Sequence, residues 1–214
     1  MTKKVLFSLF DHSGNSSEPY RKAGWEVIQV DIKHGVDILE WDYEQAYDDV
    51  TPWNLHDPMP VVGLILMPPC TDYALSGAKH FAAKDLDGRT DHSQKLVAKC
   101  KEIIDFFDNL GVLQFWQLEN PMSRIHTLNP WLGKPILKFN PCDYAGYSPD
   151  PESDRYNKAT WLWGKFNIPE KKRIEPIYKE NPGWKLYGGK SERTKELRSI
   201  TPKGFCQAFY EFNH

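Results

Sequence analysis

No apolar run in this chain approaches the ~20 residues needed to span a bilayer, so no membrane partner is expected. Cysteine is scarce: Cys70, Cys100, Cys142 and Cys206 are scattered, with no C-x-x-C pair and no histidine at ligand spacing. A disulfide framework and a structural zinc site are therefore both unexpected, and no metal ligands are assigned. A glycine-rich phosphate loop is missing too, because Gly14 is the single glycine of the first turn. The opening Met1-Thr-Lys-Lys runs straight into a strand-like stretch and does not read as a signal peptide, and the scattered cysteines suit a reducing cytoplasm. Neither an internal repeat nor a low-complexity tract interrupts the 214 residues.

Net charge is also small, at -2, but it hides an asymmetry. Residues 155–203 hold 13 Lys and Arg against 5 Asp and Glu, whereas residues 1–154 hold 14 against 23. A polyanion would be drawn to the C-terminal quarter and repelled by much of the rest. The plainer alternative is a solvated basic loop. Aromatics are plentiful, with eight Trp, which suits either a ring-rich core or a site that stacks on a flat ligand.

The apolar pattern is that of an α/β protein. Val5–Phe10 reads as a buried strand, followed by the small-residue turn Asp11–Ser17 and a short helix over Glu18–Ala23 that Gly24 stops. Trp25–Val30 is a second strand with Asp31 at its end, and Val61–Met67 a third, apolar enough for the centre of a parallel sheet. Leu96, Val97, Cys100, Ile103, Ile104 and Phe107 make one stripe on a helix over 92–109. Val112–Leu118 is expected to be a strand that stops at Glu119. Later come short strands at Pro135–Phe139 and Thr160–Trp163 and a final helix within Pro202–Phe212. Residues 165–200, basic and carrying Gly188-Gly189, are the expected mobile surface element. Two regions follow, a core over 1–154 and a basic extension over 155–214 that completes the sheet, in one compact domain.

Ligands of open α/β sheets bind beyond the carboxyl ends of the strands. The first turn, Asp31, Cys70 and Glu119 all fall at such ends. A small-residue turn opening a helix, with an acid one strand later, suits a nucleoside-containing cofactor whose ribose diol the acid would accept. Cys70 follows two prolines, which hold it in a rigid exposed turn; an inert core cysteine is the alternative. Glu119 projects from a strand end, where it could instead cap a turn or pair with a lysine. A thiol facing a carboxyl group is what attack on C6 of a cytosine requires.

At these residues the sequence resembles the cytosine-C5 DNA methyltransferases. Phe7-Ser-Leu-Phe-Asp-His-Ser-Gly-Asn15 resembles their first motif, Asp31-Ile32 their acidic-hydrophobic pair, and Gly35-Val-Asp37-Ile38 their adenine-side Asp. Met67-Pro-Pro-Cys-Thr-Asp-Tyr-Ala-Leu-Ser-Gly77 resembles the catalytic proline-cysteine loop, and Glu119-Asn-Pro121 the Glu-Asn-Val motif. The pieces agree in order over roughly residues 4–125, and short phage-encoded members are especially similar.

The resemblance implies a Rossmann-like methyltransferase fold and S-adenosylmethionine as cofactor. Phe10, Asp11, Ser13, Gly14, Asn15, Asp31, Ile32, Asp37, Ile38 and Pro68 would hold that cofactor. Cys70 would attack C6, Glu119 would contact the base edge, and C5 would take the methyl group. Lys158-Ala-Thr160 stands where the family has Arg-x-Arg, so Lys158 takes the base-contacting place of the first Arg. Asp11, His12 and Asn15 replace small residues or glycine in the first motif, and Arg198-Ser-Ile-Thr-Pro202 would stand in for the closing motif. About fifty residues follow the Trp-rich strand, too few for a large target-recognition domain, so DNA methylation of low specificity is expected. A free cytosine nucleotide or single strand as substrate is the first alternative, and a non-catalytic binding or decoy protein the second. An amino-group methyltransferase is a weaker rival, having no need of the cysteine.

Overall fold

The computed structural model describes residues 2–51, 58–179 and 191–214. Six strands form one sheet in the order β2-β1-β3-β4-β6-β5. They are β1 (Lys4–Leu9), β2 (Glu26–Val30), β3 (Val61–Leu66), β4 (Leu113–Pro121), β5 (Leu137–Phe139) and β6 (Thr160–Lys165). The first four neighbours pair in parallel, while β6 runs antiparallel to both β4 and β5. The chain therefore has a Rossmann-like α/β fold whose mainly parallel sheet carries a single reversed strand near one edge. That strand comes from the extension and lies inside the sheet, between strands of the core.

Alternation along β1 builds two cores. Val5, Phe7 and Leu9 enter one cluster and Leu6 the other, as the two-residue period of a strand requires. Seven helices are described: α1 (Glu18–Lys22), α2 (Tyr43–Val50), α3 (Phe81–Leu86), α4 (Arg89–Asn109), α5 (Ile125–Leu128), α6 (Glu192–Ser199) and α7 (Lys203–Phe212). The expected stripe on α4 is buried throughout and packs with Phe7, Leu64 and Tyr47 on the first face. Each such side chain contributes about 1.5–3 kcal/mol of burial. On the second face Phe205 and Phe209 of α7 pack with Tyr20, Ile65 and Phe115. Gly63 on β3 makes room there, since a Cβ would stand 2.4 Å from the Phe115 ring.

Three boundaries differ from the sequence reading. β4 does not stop at Glu119 but runs to Pro121, because Glu119, Asn120 and Pro121 pair with Leu162, Trp161 and Thr160 of β6. That partner lies some forty residues away, beyond the reach of a local pattern. α4 begins at Arg89, three residues before the expected start at 92, because the apolar stripe that marks it opens only at Leu96.

The third difference is the basic stretch 165–200. Residues 180–190, with the Gly-Gly pair, lie outside the described residues. The part before them is bonded to the core rather than loose. Lys171 and Arg173 pair with buried Asp143 at 3.1 and 2.8 Å, and Ile174 N–H donates to the Cys142 carbonyl at 3.0 Å. The part after them is α6, opened by Ser191, whose Oγ accepts the Thr194 N–H at 3.2 Å. Among the described residues no helix is long and apolar enough to cross a membrane.

Candidate active site

The carboxyl ends of β1, β3 and β4 converge where the sequence placed its unusual residues. Past β3 the Met67 N–H still donates to the Leu9 carbonyl, at 3.1 Å. Pro68 is buried, and Pro69 and Cys70 emerge into solvent. The Cys70 carbonyl then accepts the N–H groups of Tyr73 and Ala74 at 3.0 and 2.8 Å, so the thiol sits on the first residue of a closed turn. The register pairs Leu66 with Leu118, which brings Met67 level with Glu119 and Pro68 level with Asn120. Asn120 Nδ2 donates to the Pro68 carbonyl at 3.2 Å and ties the two strand ends together.

Lys158 enters from the approach to β6, and its ammonium donates to the Arg198 carbonyl at 2.9 Å. The three groups named from sequence feel one another electrostatically. Cys70 is open to solvent on one side yet closely surrounded by protein; this partial burial raises its pKa above the ordinary thiol value. The Glu119 carboxyl pushes it the same way, while Lys158 and Arg198 pull it down. Burial also raises Glu119 above the usual carboxylate value, against the field of Lys158. At rest the thiol is therefore protonated, and Glu119 holds its proton to a higher pH than an exposed acid. A neutral carboxyl group can donate a hydrogen bond to a base edge; a basic group is needed to draw the proton from the thiol.

The first turn is built differently from a simple ligand cradle. The Asp11 carboxylate is buried and turned inward, accepting from Ser8 Oγ at 2.8 Å, the Gly14 N–H at 2.8 Å and Ser13 Oγ at 3.3 Å. That N–H is thus used within the turn. Asn15 reaches outward, its Nδ2 donating to the Thr201 carbonyl at 3.3 Å. Phe10 carries a left-handed backbone (φ 62°), with its N–H on the Val30 carbonyl at 2.7 Å. For a residue with a Cβ this conformation is strained, and such strain concentrates at ligand sites.

Next to it, Ile32 leaves 68% of its surface exposed. The Asp31 carboxylate accepts the Lys33 N–H at 2.8 Å and Asp37 accepts the Leu39 N–H at 2.9 Å, each capping its own loop. Ile38 belongs to the first core cluster. Toward a nucleoside this edge offers apolar surface in Phe10 and the exposed Ile32, and a carboxylate acceptor in Asp31. The fit is poorer at the turn, whose Gly14 donor is occupied.

A recess of about 260 Å³ separates the turn from α6 and is lined by His12, Ser13, Glu196, Leu197 and Ile200 among others. A larger, more open one of about 510 Å³ lies on the other side of the turn, against Glu18, Arg21 and Gln29. Neither is lined by Cys70 or Glu119.

The strap after α6 was singled out in the sequence only as a stand-in for a motif. Here it joins the two halves of the site. Its Thr201 contacts Asn15 through the carbonyl and Met67 Sδ through Oγ1, at 3.3 Å each, and the Arg198 carbonyl, in the last turn of α6 itself, holds Lys158. The residues that brace the turn from behind, Asp72, Lys84 and Arg124, carry no sequence signal of that role, since charged side chains of these types are mostly exposed.

Neither a protein-family model nor a curated protein matches the chain. Among solved structures it is similar to the Entamoeba histolytica methyltransferase EhMeth, at 12% identity and a TM-score of 0.40, over 84% of this chain. The chain spans 58% of the length of that structure.

Proposed function

We propose that this protein is an S-adenosylmethionine-dependent methyltransferase that acts on C5 of cytosine in DNA. What supports the reading is the electrostatic influence of the Glu119 carboxyl on the Cys70 thiol at the ends of adjoining strands, each group shifted by burial and each under the field of Lys158. A thiol adds to C6 of a cytosine most readily when the ring is activated at N3, and a protonated carboxyl group is suited to that contact. Lys158, fixed by the Arg198 carbonyl, can steady the base carbonyl and favour the thiolate as it forms. Phe10, Ile32 and Asp31 are the residues that would hold the adenosine of the cofactor, which supplies an electrophilic methyl group when bound. A base within a duplex would first have to leave the stack.

The test is direct. Protein incubated with labelled S-adenosylmethionine and cytosine-containing DNA should transfer label to C5, and Cys70→Ala should abolish transfer while keeping the fold. DNA carrying 5-fluorocytosine should trap a covalent adduct on Cys70. Label found on N4, or transfer that survives Cys70→Ala, rejects the mechanism. Duplex, single strand and dCMP compared in one assay decide between strand and nucleotide substrates, and rates that ignore salt speak against phosphate contacts.

A further inference from the structure

The turn that begins at Cys70 is braced by charge buried behind it. Lys84, on α3, is 7% exposed, and its ammonium lies 3.2 Å from Asp72 Oδ1 while donating to the Thr71 carbonyl. A lysine this buried is rare unless paired. Its partner Asp72 is 8% exposed and accepts Ser93 Oγ of α4 on the other oxygen, at 2.7 Å. Among the described residues Oδ1 has no hydrogen-bond donor, so it is compensated by charge, with the Lys84 ammonium at 3.2 Å and Arg124 acting from further out.

A second brace lies outside the first. Arg124 Nε donates to the Asp72 carbonyl at 3.2 Å, its guanidinium forks onto Asp85 at 2.9 and 2.6 Å, and it stacks over Phe81 at 3.7 Å. The Arg124 N–H donates to the Tyr73 carbonyl at 3.0 Å. Thr71 and Asp72, the two residues after the nucleophile, are thus held from α3, α4 and the segment following β4.

We propose that Lys84 is a positioning residue for Cys70, holding Thr71 and Asp72 so that the thiol is presented in one geometry before substrate arrives. It touches neither thiol nor Glu119, and it acts through the backbone of the turn. The proposal rests on the methyltransferase reading for its effect on turnover, but not for its effect on the turn. A buried ion pair of this kind contributes little net stability, whereas removing one partner strands the other. Paired variants therefore separate positioning from folding.

Lys84→Met is expected to fold poorly, because it leaves Asp72 charged and buried. Lys84→Met combined with Asp72→Asn removes both charges and keeps an acceptor for Ser93, so it should unfold near the wild-type temperature. In that double variant, hydrogen exchange at the Tyr73 and Ala74 amides should speed up. Turnover should fall by about a hundredfold, the loss that a misplacement of ~1 Å brings, with KM little changed. The pH midpoint of Cys70 alkylation by iodoacetamide should move little, since the main causes of the thiol's shift are burial, Glu119, Lys158 and Arg198. A folded double variant with wild-type turnover, or with wild-type exchange at Tyr73 and Ala74, overturns the proposal. If the wild-type protein methylates no substrate, the reading of function fails, while the exchange result still decides whether Lys84 holds the turn.

Discussion

Asn120 and Pro68 lie on neighbouring strand ends and are joined side chain to backbone, Nδ2 to carbonyl oxygen, at 3.2 Å. The link sits one residue past the acid and two before the thiol, so it fixes the spacing of the two reactive groups. Asn120 is 1% exposed and its Oδ1 has no hydrogen-bond partner among the described residues, so the bond to Pro68 is the one polar contact shown for its buried side chain there.

Asn120→Ala should therefore lower the unfolding free energy by about 1–3 kcal/mol in urea titration, leaving the Pro68 carbonyl without its donor. Asn120→Asp should cost more at neutral pH, because a carboxylate oxygen would face a carbonyl oxygen. Both variants should slow adduct formation with 5-fluorocytosine DNA more than they lower stability. Equal trapping rates in wild type and variants would show that the link does not set the reactive geometry.

Reactivity of the thiol follows from its surroundings. With its pKa above the ordinary value of 9.0, Cys70 should react with iodoacetamide more slowly at pH 7 than an unperturbed cysteine, and its rate should go on rising beyond pH 9. Lys158→Met removes a charge that favours the thiolate, so its alkylation profile should move to higher pH. A profile that moves to lower pH in Lys158→Met would contradict the placement of that ammonium. The other cysteines are buried and should remain unmodified in the folded protein.

Much of this arrangement was legible in the sequence because it is local. The α4 stripe, the apolar β3 and the small-residue turn after β1 each show within about twenty residues, and the residues at strand ends follow from the parallel order. What escaped depends on distant partners. β4 continues past Glu119 only because β6 pairs with it. No helix was assigned to residues 43–50, although Asp42 caps α2 through the Gln45 N–H at 2.9 Å. Asp11 matches the spacing of a ligand turn while closing that turn upon itself. Lys84 is buried only because the fold brings Asp72 against it, a pairing across twelve residues that no local pattern marks.

Glu119 sets a pH dependence whose sign can be worked out. Its pKa in the folded state is raised above 4.5 by burial. Between 4.5 and that raised value the unfolded chain releases the proton while the native protein keeps it, so rising pH favours unfolding. This contribution is favourable below 4.5 and is lost as pH climbs through the folded value. Glu119→Gln should remove the slope and make the protein more stable than wild type at pH 7, while abolishing methyl transfer. Chemical unfolding of both proteins from pH 4 to pH 8 measures it. Parallel stability curves would mean that Glu119 is no harder to ionise in the folded protein than in the unfolded chain.

Phe10 offers a separate test of the cofactor edge. Its left-handed backbone costs about 1–2 kcal/mol relative to an allowed conformation. Glycine adopts φ > 0 freely, so Phe10→Gly relieves that strain. Against the gain stands the loss of a half-buried ring packed on the first core cluster, worth about 1.5–3 kcal/mol at full burial. The two terms nearly cancel, and the thermal midpoint should move by only a few degrees. If the ring covers the adenosine, affinity for S-adenosylmethionine measured by calorimetry should fall at least about tenfold, which corresponds to 1.4 kcal/mol. Phe10→Leu, which keeps the strain and some apolar cover, should bind with intermediate affinity but be less stable than Phe10→Gly. Unchanged affinity in Phe10→Gly would move the nucleoside away from the end of β1 and leave the strained backbone without a ligand to explain it.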